Sequence, residues 1–188
     1  MPASRRTFLS AAAGAAFVHV PSPVKGFASE EVAALAESGR LAEVGVSKWE
    51  LDTPALCVDL DKLEGNVARM QARLKKNGIA SRPHAKTHKS ADIARLQLRT
   101  GSVGICTAKL SEAEALAAAG IAPLCMTTSN LSPSKIRRAM QLRKRNPRFV
   151  QAVDWEPNAR DLQAAAREAG VTAEVVVDVA VGTRSGIP

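Results

Sequence analysis

Apolar and polar positions alternate along the chain in two different periods. Short apolar runs of strand length fall at Ala55–Val58, Ile79–Lys86, Val103–Cys106, Ala122–Met126, Phe149–Val153 and Ala173–Val179. Between them lie longer stretches with a spacing near 3.6, which predict helices over Asp61–Asn77, Ser90–Thr100, Ser111–Ala119, Ser132–Arg145 and Glu156–Ala169. Start signals support several of these helices: Ser111 stands three residues before Glu114, and Ser132 precedes Pro133. Gly78, Gly101, Gly120 and Gly170 stand where left-handed caps end helices. Strand and helix in strict alternation mean parallel βαβ units, so the fold class is α/β.

Two parallel architectures compete, the open doubly wound sheet and the closed eight-fold barrel. A dinucleotide-binding open sheet needs a glycine-rich turn after its first strand. The turn after Val58 reads Asp59-Leu60-Asp61-Lys62 and holds no glycine. A full barrel takes about 250 residues, so a barrel in this chain of 188 is an incomplete one.

The N-terminus reads as a targeting segment. Ser4-Arg5-Arg6-Thr7-Phe8-Leu9 leads into a weakly apolar stretch to Val20, and Gly26-Phe27-Ala28 supplies small residues before a cut after Ala28. This resembles a twin-arginine export signal over residues 1–28, which implies a periplasmic destination for an already folded protein. Removing Arg5, Arg6 and Lys25 lowers the net charge from +8 to +5. Residues 29–50 read as a linker with a short helix, suggested by Glu30, Glu31, Leu35 and Leu41.

Composition narrows the picture further. With 46% hydrophobic residues, 3% aromatics and no tyrosine, the core must be built from Ala, Val, Leu and Ile. No apolar run reaches the ~20 residues of a bilayer-spanning helix. Cys57, Cys106 and Cys125 lack metal-ligand spacing and lie in apolar stretches, so they are expected to be small buried hydrophobes. Seven basic residues from Lys135 to Arg148 have no acidic sequence neighbour, as a nucleic-acid patch would. No aromatics interleave for base stacking, and Ile136, Met140 and Leu142 give the segment an amphipathic pattern. The outer face of a barrel helix explains it better, and no nucleic-acid partner is expected.

The chemistry concentrates in Arg82-Pro83-His84-Ala85-Lys86-Thr87-His88-Lys89-Ser90. In an extended strand Arg82, His84, Lys86 and His88 share one face, and in a barrel that face can be the lumen. Crowding cationic groups in a partly dry lumen favours the neutral amine of Lys86, the form that condenses with an aldehyde. Lys86 also falls at the carboxyl end of its strand, the active face of a barrel. Lys89 lies on the other parity or in the next helix and is the weaker candidate.

This stretch resembles the pyridoxal-phosphate lysine motif of the D-threonine aldolase and D-serine dehydratase family, relatives of the alanine racemase N-terminal barrel. Thr53–Asp61, Thr107–Leu116 and Asp178–Ile187 resemble flanking segments of that family, so the likeness covers Leu51 to Pro188. The resemblance implies an incomplete parallel (β/α)8 barrel over residues 51–188. About five barrel strands would be present, beginning at Ile79–Lys86, with Ala55–Val58 assigned to a second, β-rich domain. It implies that Lys86 forms the imine with pyridoxal 5'-phosphate, that His84 borders the cofactor and that Arg184 approaches its ring hydroxyl. Ala180-Val181-Gly182-Thr183-Arg184-Ser185-Gly186 departs from the family's glycine-to-arginine spacing. The implied activity is retro-aldol cleavage or dehydration of a D-β-hydroxy amino acid. Racemisation and cofactor binding without turnover are the alternatives. In the family, later loops hold the phosphate, the C-terminal β domain supplies divalent-metal ligands and completes the active site, and a homodimer is implied for the full-length form. The chain therefore reads as the N-terminal half of such an enzyme, with no metal ligands of its own, expected to be inactive and poorly folded alone.

Overall fold

The computed structural model describes residues 26–179, which fall into two compact units divided at Met70. The first unit opens with α1 (Ser29–Glu37), where Glu31 folds back to accept the Ala28 backbone N–H at 2.9 Å. A single turn, α2 (Leu41–Val44), follows. A bridge between Phe27 and Leu51 joins the segments that flank these two helices. Ala55–Val58 forms no strand; it is irregular and its Leu56 is 95% exposed. Among the described residues nothing covers its side chains to fix an extended conformation, so an apolar run of strand composition stays unpaired. The paired arginine Arg5-Arg6 and the candidate Arg184 lie outside the described residues.

The second unit carries the alternating βα pattern. The helix α3 (Leu60–Lys76) crosses the division, and α4 (Ala91–Arg99) follows within the second unit. Four strands, β1 (Ile105–Thr107), β2 (Leu124–Met126), β3 (Phe149–Val153) and β4 (Glu174–Val177), form one parallel sheet in the order β1-β2-β3-β4. The connecting helices are α5 (Leu110–Ala118), α6 (Pro133–Arg145) and α7 (Glu156–Ala169). The expected α/β class therefore holds, with four parallel strands; closure into a barrel is not formed among the described residues.

The expected fifth strand is the main correction. Ile79–Lys86 runs beside β1, with Val103 N–H on Ser81 O at 2.9 Å and Cys106 N–H on Pro83 O at 2.8 Å. It makes only one ladder bridge, between His84 and Cys106, before turning into a 3-10 turn at Ala85–Thr87. The Pro83 carbonyl faces β1, so the N–H that proline lacks is missing from that same ladder, and the segment pairs with β1 only briefly.

Period-two alternation separates the two faces of the sheet. Ile105, Leu124, Met126, Phe149 and Val153 join Leu116, Ile136, Met140, Leu142 and Leu162 of the helices in one buried cluster. Cys106, Cys125, Val150 and Ala152 point the other way. Burying aliphatic side chains of this size contributes about 1.5–3 kcal/mol each, which is what fixes the register. Helix starts are set by local acceptors: Ser90 Oγ takes the Ile93 N–H and Ser132 Oγ the Lys135 N–H, both at 3.3 Å. The helix α5 begins one residue ahead of the expected Ser111, because Glu112 accepts the N–H groups of Ala108 and Lys109 at 3.0 and 3.3 Å. Glu114, the expected partner of Ser111, instead binds Arg138 of α6. Gly170 takes φ +66° to end α7, as its position predicts.

Two of the seven basic side chains around α6 make contacts to neighbouring elements: Arg138 binds Glu114, and Arg143 reaches Phe149 O at 2.9 Å and Glu174 at 3.2 Å, at the starts of β3 and β4. Among the described residues, no helix is long and apolar enough to cross a membrane.

Candidate functional site

The carboxyl ends of the parallel strands meet where the Ala85–Thr87 turn leaves the sheet. His84 supplies the N-cap of that turn, and its Nδ1 accepts the Lys86 backbone N–H at 3.2 Å. Two more bonds close the turn, from His88 N–H and Lys89 N–H to Ala85 O at 3.2 and 2.7 Å. Lys89 pays for that closure with φ +50°, a left-handed conformation uncommon outside glycine. Alternation therefore ends at His84. Arg82 and His84 share the face of Cys106, as parity predicts, but Lys86 and His88 do not follow from it. Lys86 is exposed at the turn's tip rather than enclosed in a crowded lumen. His88 is half-buried toward α4, where Ser90 N–H binds its Nδ1 at 3.0 Å.

The proton positions on His84 can be deduced. Because Nδ1 accepts from a backbone N–H, a neutral ring carries its hydrogen on Nε2. Nε2 lies 3.1 Å from Thr127 Oγ1, and Thr127 Oγ1 in turn donates to Thr107 O at 3.2 Å. The chain Nε2–H to Thr127 to Thr107 carbonyl is complete, with each hydroxyl valence used once. Desolvation lowers the pKa of His84 below its ordinary 6.5, the charge of Lys86 adds to this, and Glu112 opposes it. Desolvation likewise lowers His88, against hydrogen bonds to Gln97 and Ser90. Both shifts favour the neutral ring.

Thr127 and Glu112 were not singled out in the sequence, although the spacing of Lys109 and Glu112 is a helix-start signal. Thr127 carries no signal of its own; only the register of β2 beside β1 brings it to His84. Lys86 Nζ has no hydrogen-bond or ion-pair partner among the described residues. A free, exposed amine on a turn fixed by three backbone N–H donors, next to a neutral ring, suits an aldehyde cofactor. Lys86, His84 and the Thr127 hydroxyl are the groups here that would border it.

The thiols differ from expectation in part. Cys125 is buried as expected, but Cys106 is half-buried and Cys57 is exposed.

An α/β sheet with a lysine turn at its carboxyl edge defines a class, and comparison with known proteins identifies it. The structure resembles D-threonine aldolase from Filomicrobium marinum with a TM-score of 0.69 and 38% identity, over 72% of this chain and 37% of that one. The model of the alanine racemase N-terminal domain matches residues 58–188, and the chain belongs to that family. It is 39% identical over 145 residues to 3-hydroxy-D-aspartate aldolase of Paracoccus denitrificans, covering 76% of this chain and 38% of the relative. It is equally 39% identical over 138 residues to D-threo-3-hydroxyaspartate dehydratase of Delftia sp. strain HT23, covering 73% and 36%. A variant of a D-threo-3-hydroxyaspartate dehydratase has been solved in a metal-free form. The chain thus spans well under half the length of these relatives.

Proposed function

We propose that this chain is the lysine-bearing part of a pyridoxal-phosphate-dependent lyase that cleaves or dehydrates D-β-hydroxy amino acids. The observation that carries the reading is the free amine of Lys86 on a turn locked by neutral His84. Bound at Lys86, pyridoxal phosphate would supply an electron sink that lets a bond at the substrate's Cα break. Lys86 holds the cofactor. His84 does not shuttle protons: Nδ1 is occupied by the Lys86 N–H and Nε2–H by Thr127. Its work is to fix the turn and to present a neutral dipole, so that the amine beside it faces no added positive charge. Thr127 holds the ring's orientation and draws its own from the Thr107 carbonyl. Aldolase and dehydratase activities among the relatives support a β-hydroxy substrate with a D-configured Cα.

Racemisation is the second reading, favoured by the family's own description. A metal-assisted step, Arg184 as a ring contact, a homodimer and periplasmic export remain parts of the proposal for the whole protein.

The test is borohydride reduction of the cofactor-loaded protein followed by peptide mapping, with product analysis on D-threonine. The pyridoxyl mass is expected on Lys86, and Lys86→Ala should lose the imine absorbance. Since Lys86 is exposed and unpartnered, that substitution should change stability by no more than about 0.5 kcal/mol. A label on Lys89 or Lys109 would refute the assignment. Formation of L-allo-threonine without glycine would favour racemisation.

A further inference from the structure

One cluster on the site face of the sheet is not used by the lysine turn. Cys106 of β1 lies directly opposite Cys125 of β2. Registered partners on neighbouring strands point to the same face, and strands ~4.8 Å apart place their Cα atoms within the ~4.4–6.8 Å that a disulfide spans. Cys125 is 9% exposed, whereas Cys106 is half-open to solvent.

A cation faces this pair. Arg82 lies against Gly104, two residues before Cys106 on the same face. A Cβ at Gly104 would come within 2.7 Å of Arg82 Nη1 and 3.0 Å of Pro123 O. Only glycine leaves room for the guanidinium there. Arg82 forms no ion pair with a carboxylate among the described residues. A positive group lying beside two neighbouring sulfurs, without a carboxylate of its own, is suited to a thiolate.

We propose that Cys106 and Cys125 form a hydroperoxide-oxidisable thiol pair, activated by Arg82, that closes to a reversible disulfide on the site face of the sheet. The hydrogen bond from Cys106 pulls the pKa of Cys125 down to about 6, with Arg82 adding to the effect and burial opposing it. Cys106 moves up because it holds the shared proton and is partly desolvated. The pair therefore carries one negative charge near neutral pH, shared between two sulfurs. As hydroperoxide reaches the more open sulfur, Cys106, the shared proton passes to Cys125 and leaves the thiolate on Cys106. The thiolate attacks the terminal oxygen, the O–O bond breaks, and the leaving alkoxide or hydroxide takes a proton from solvent. The resulting sulfenic acid is attacked by the Cys125 sulfur; the S–S bond forms, the S–O bond breaks, and water leaves with the second thiol's proton. In total two thiols and ROOH give a disulfide, ROH and water, with two electrons passing from sulfur to the peroxide.

The experiment needs no cofactor, so its outcome is independent of the assignment of Lys86. A Cys57→Ser variant of the protein is titrated with hydrogen peroxide, alkylated, and mapped without reduction. The expected result is loss of both alkylable thiols, a single Cys106–Cys125 linked peptide, and recovery on adding dithiothreitol. Cys125→Ser should instead leave Cys106 trapped by dimedone. Arg82→Gln should slow the oxidation about two-fold at pH 7 and nearly ten-fold at pH 5, the effect of raising the thiol by roughly one unit, and shift its pH profile upward. Conversion to sulfinic acid without linkage, dimers joined between chains, or an unchanged rate in Arg82→Gln would each overturn the proposal. So would thiols that do not react with peroxide.

Discussion

Replacing Thr127 by valine removes one hydroxyl and keeps the side-chain shape, so it isolates the bond chain that orients His84. Two bonds disappear: His84 Nε2–H to Oγ1 at 3.1 Å and Oγ1–H to Thr107 O at 3.2 Å. The Thr107 carbonyl is not orphaned, because it keeps the Thr127 backbone N–H at 2.9 Å. The Nε2–H of His84 does lose its acceptor, but the ring is only half-buried and water can replace part of it. With a net ~0.5–1.5 kcal/mol per lost hydrogen bond, and a small return from the added methyl, the expected cost is about 1–2 kcal/mol. For a unit of this size that lowers Tm by roughly 3–8 °C. Thermal unfolding followed by circular dichroism measures the shift, and 15N-detected histidine NMR measures exchange of the Nε2–H with water. The valine variant should exchange faster, and Thr127→Ser should restore both readouts. An unchanged Tm together with an unchanged, slowly exchanging Nε2–H would refute the deduced tautomer and the chain built on it.

Acid should weaken the fold through the histidines. Burial lowers the pKa of both His84 and His88 in the native state, so the unfolded chain binds protons first as pH falls below 6.5. Their contribution is fully present above that value and is lost as pH drops from it through the lowered native values; a His84→Gln/His88→Gln variant should flatten this step in urea midpoints between pH 7.5 and 5. Gly104→Ala should cost about 1–3 kcal/mol, since the new Cβ meets the Pro123 carbonyl as well as Arg82, and the backbone oxygen cannot swing aside. Phe149→Ala should cost about 3–5 kcal/mol by calorimetry, because Phe149 is 1% exposed within the helix-facing core.

The helices were legible in the sequence because each is long enough to show its period and ends on a glycine or capping side chain. The strands were legible as apolar runs but not as lengths: β1 and β2 have three residues each, too few for alternation to be read. Ile79–Lys86 misled because its polar alternation is real up to His84, after which the backbone bonds of Ala85 wind it into a turn. The motif puts Lys86 at the carboxyl edge of the sheet, where the structure also has it, yet its exposure follows from that turn and not from parity. Thr127 and Glu112 come from the ends of other βα units. Their meeting with His84 is a property of register, which no local pattern encodes. The exposed Cys57 illustrates the converse: an apolar neighbourhood in sequence buries nothing unless another element covers it.

The brevity of β1 has a genetic consequence. Its two outer residues, Ile105 and Thr107, are fully buried on the helix side, and Cys106 between them faces the site. Losing or gaining a single codon within the strand would swap these roles at once, turning Ile105 or Thr107 toward His84 and Cys106 into the aliphatic core. Substitution can explore this strand one residue at a time, but insertion and deletion cannot. Length variation in descendants of this gene is accordingly expected in the connections around Gly120 and Gly170, outside the strands.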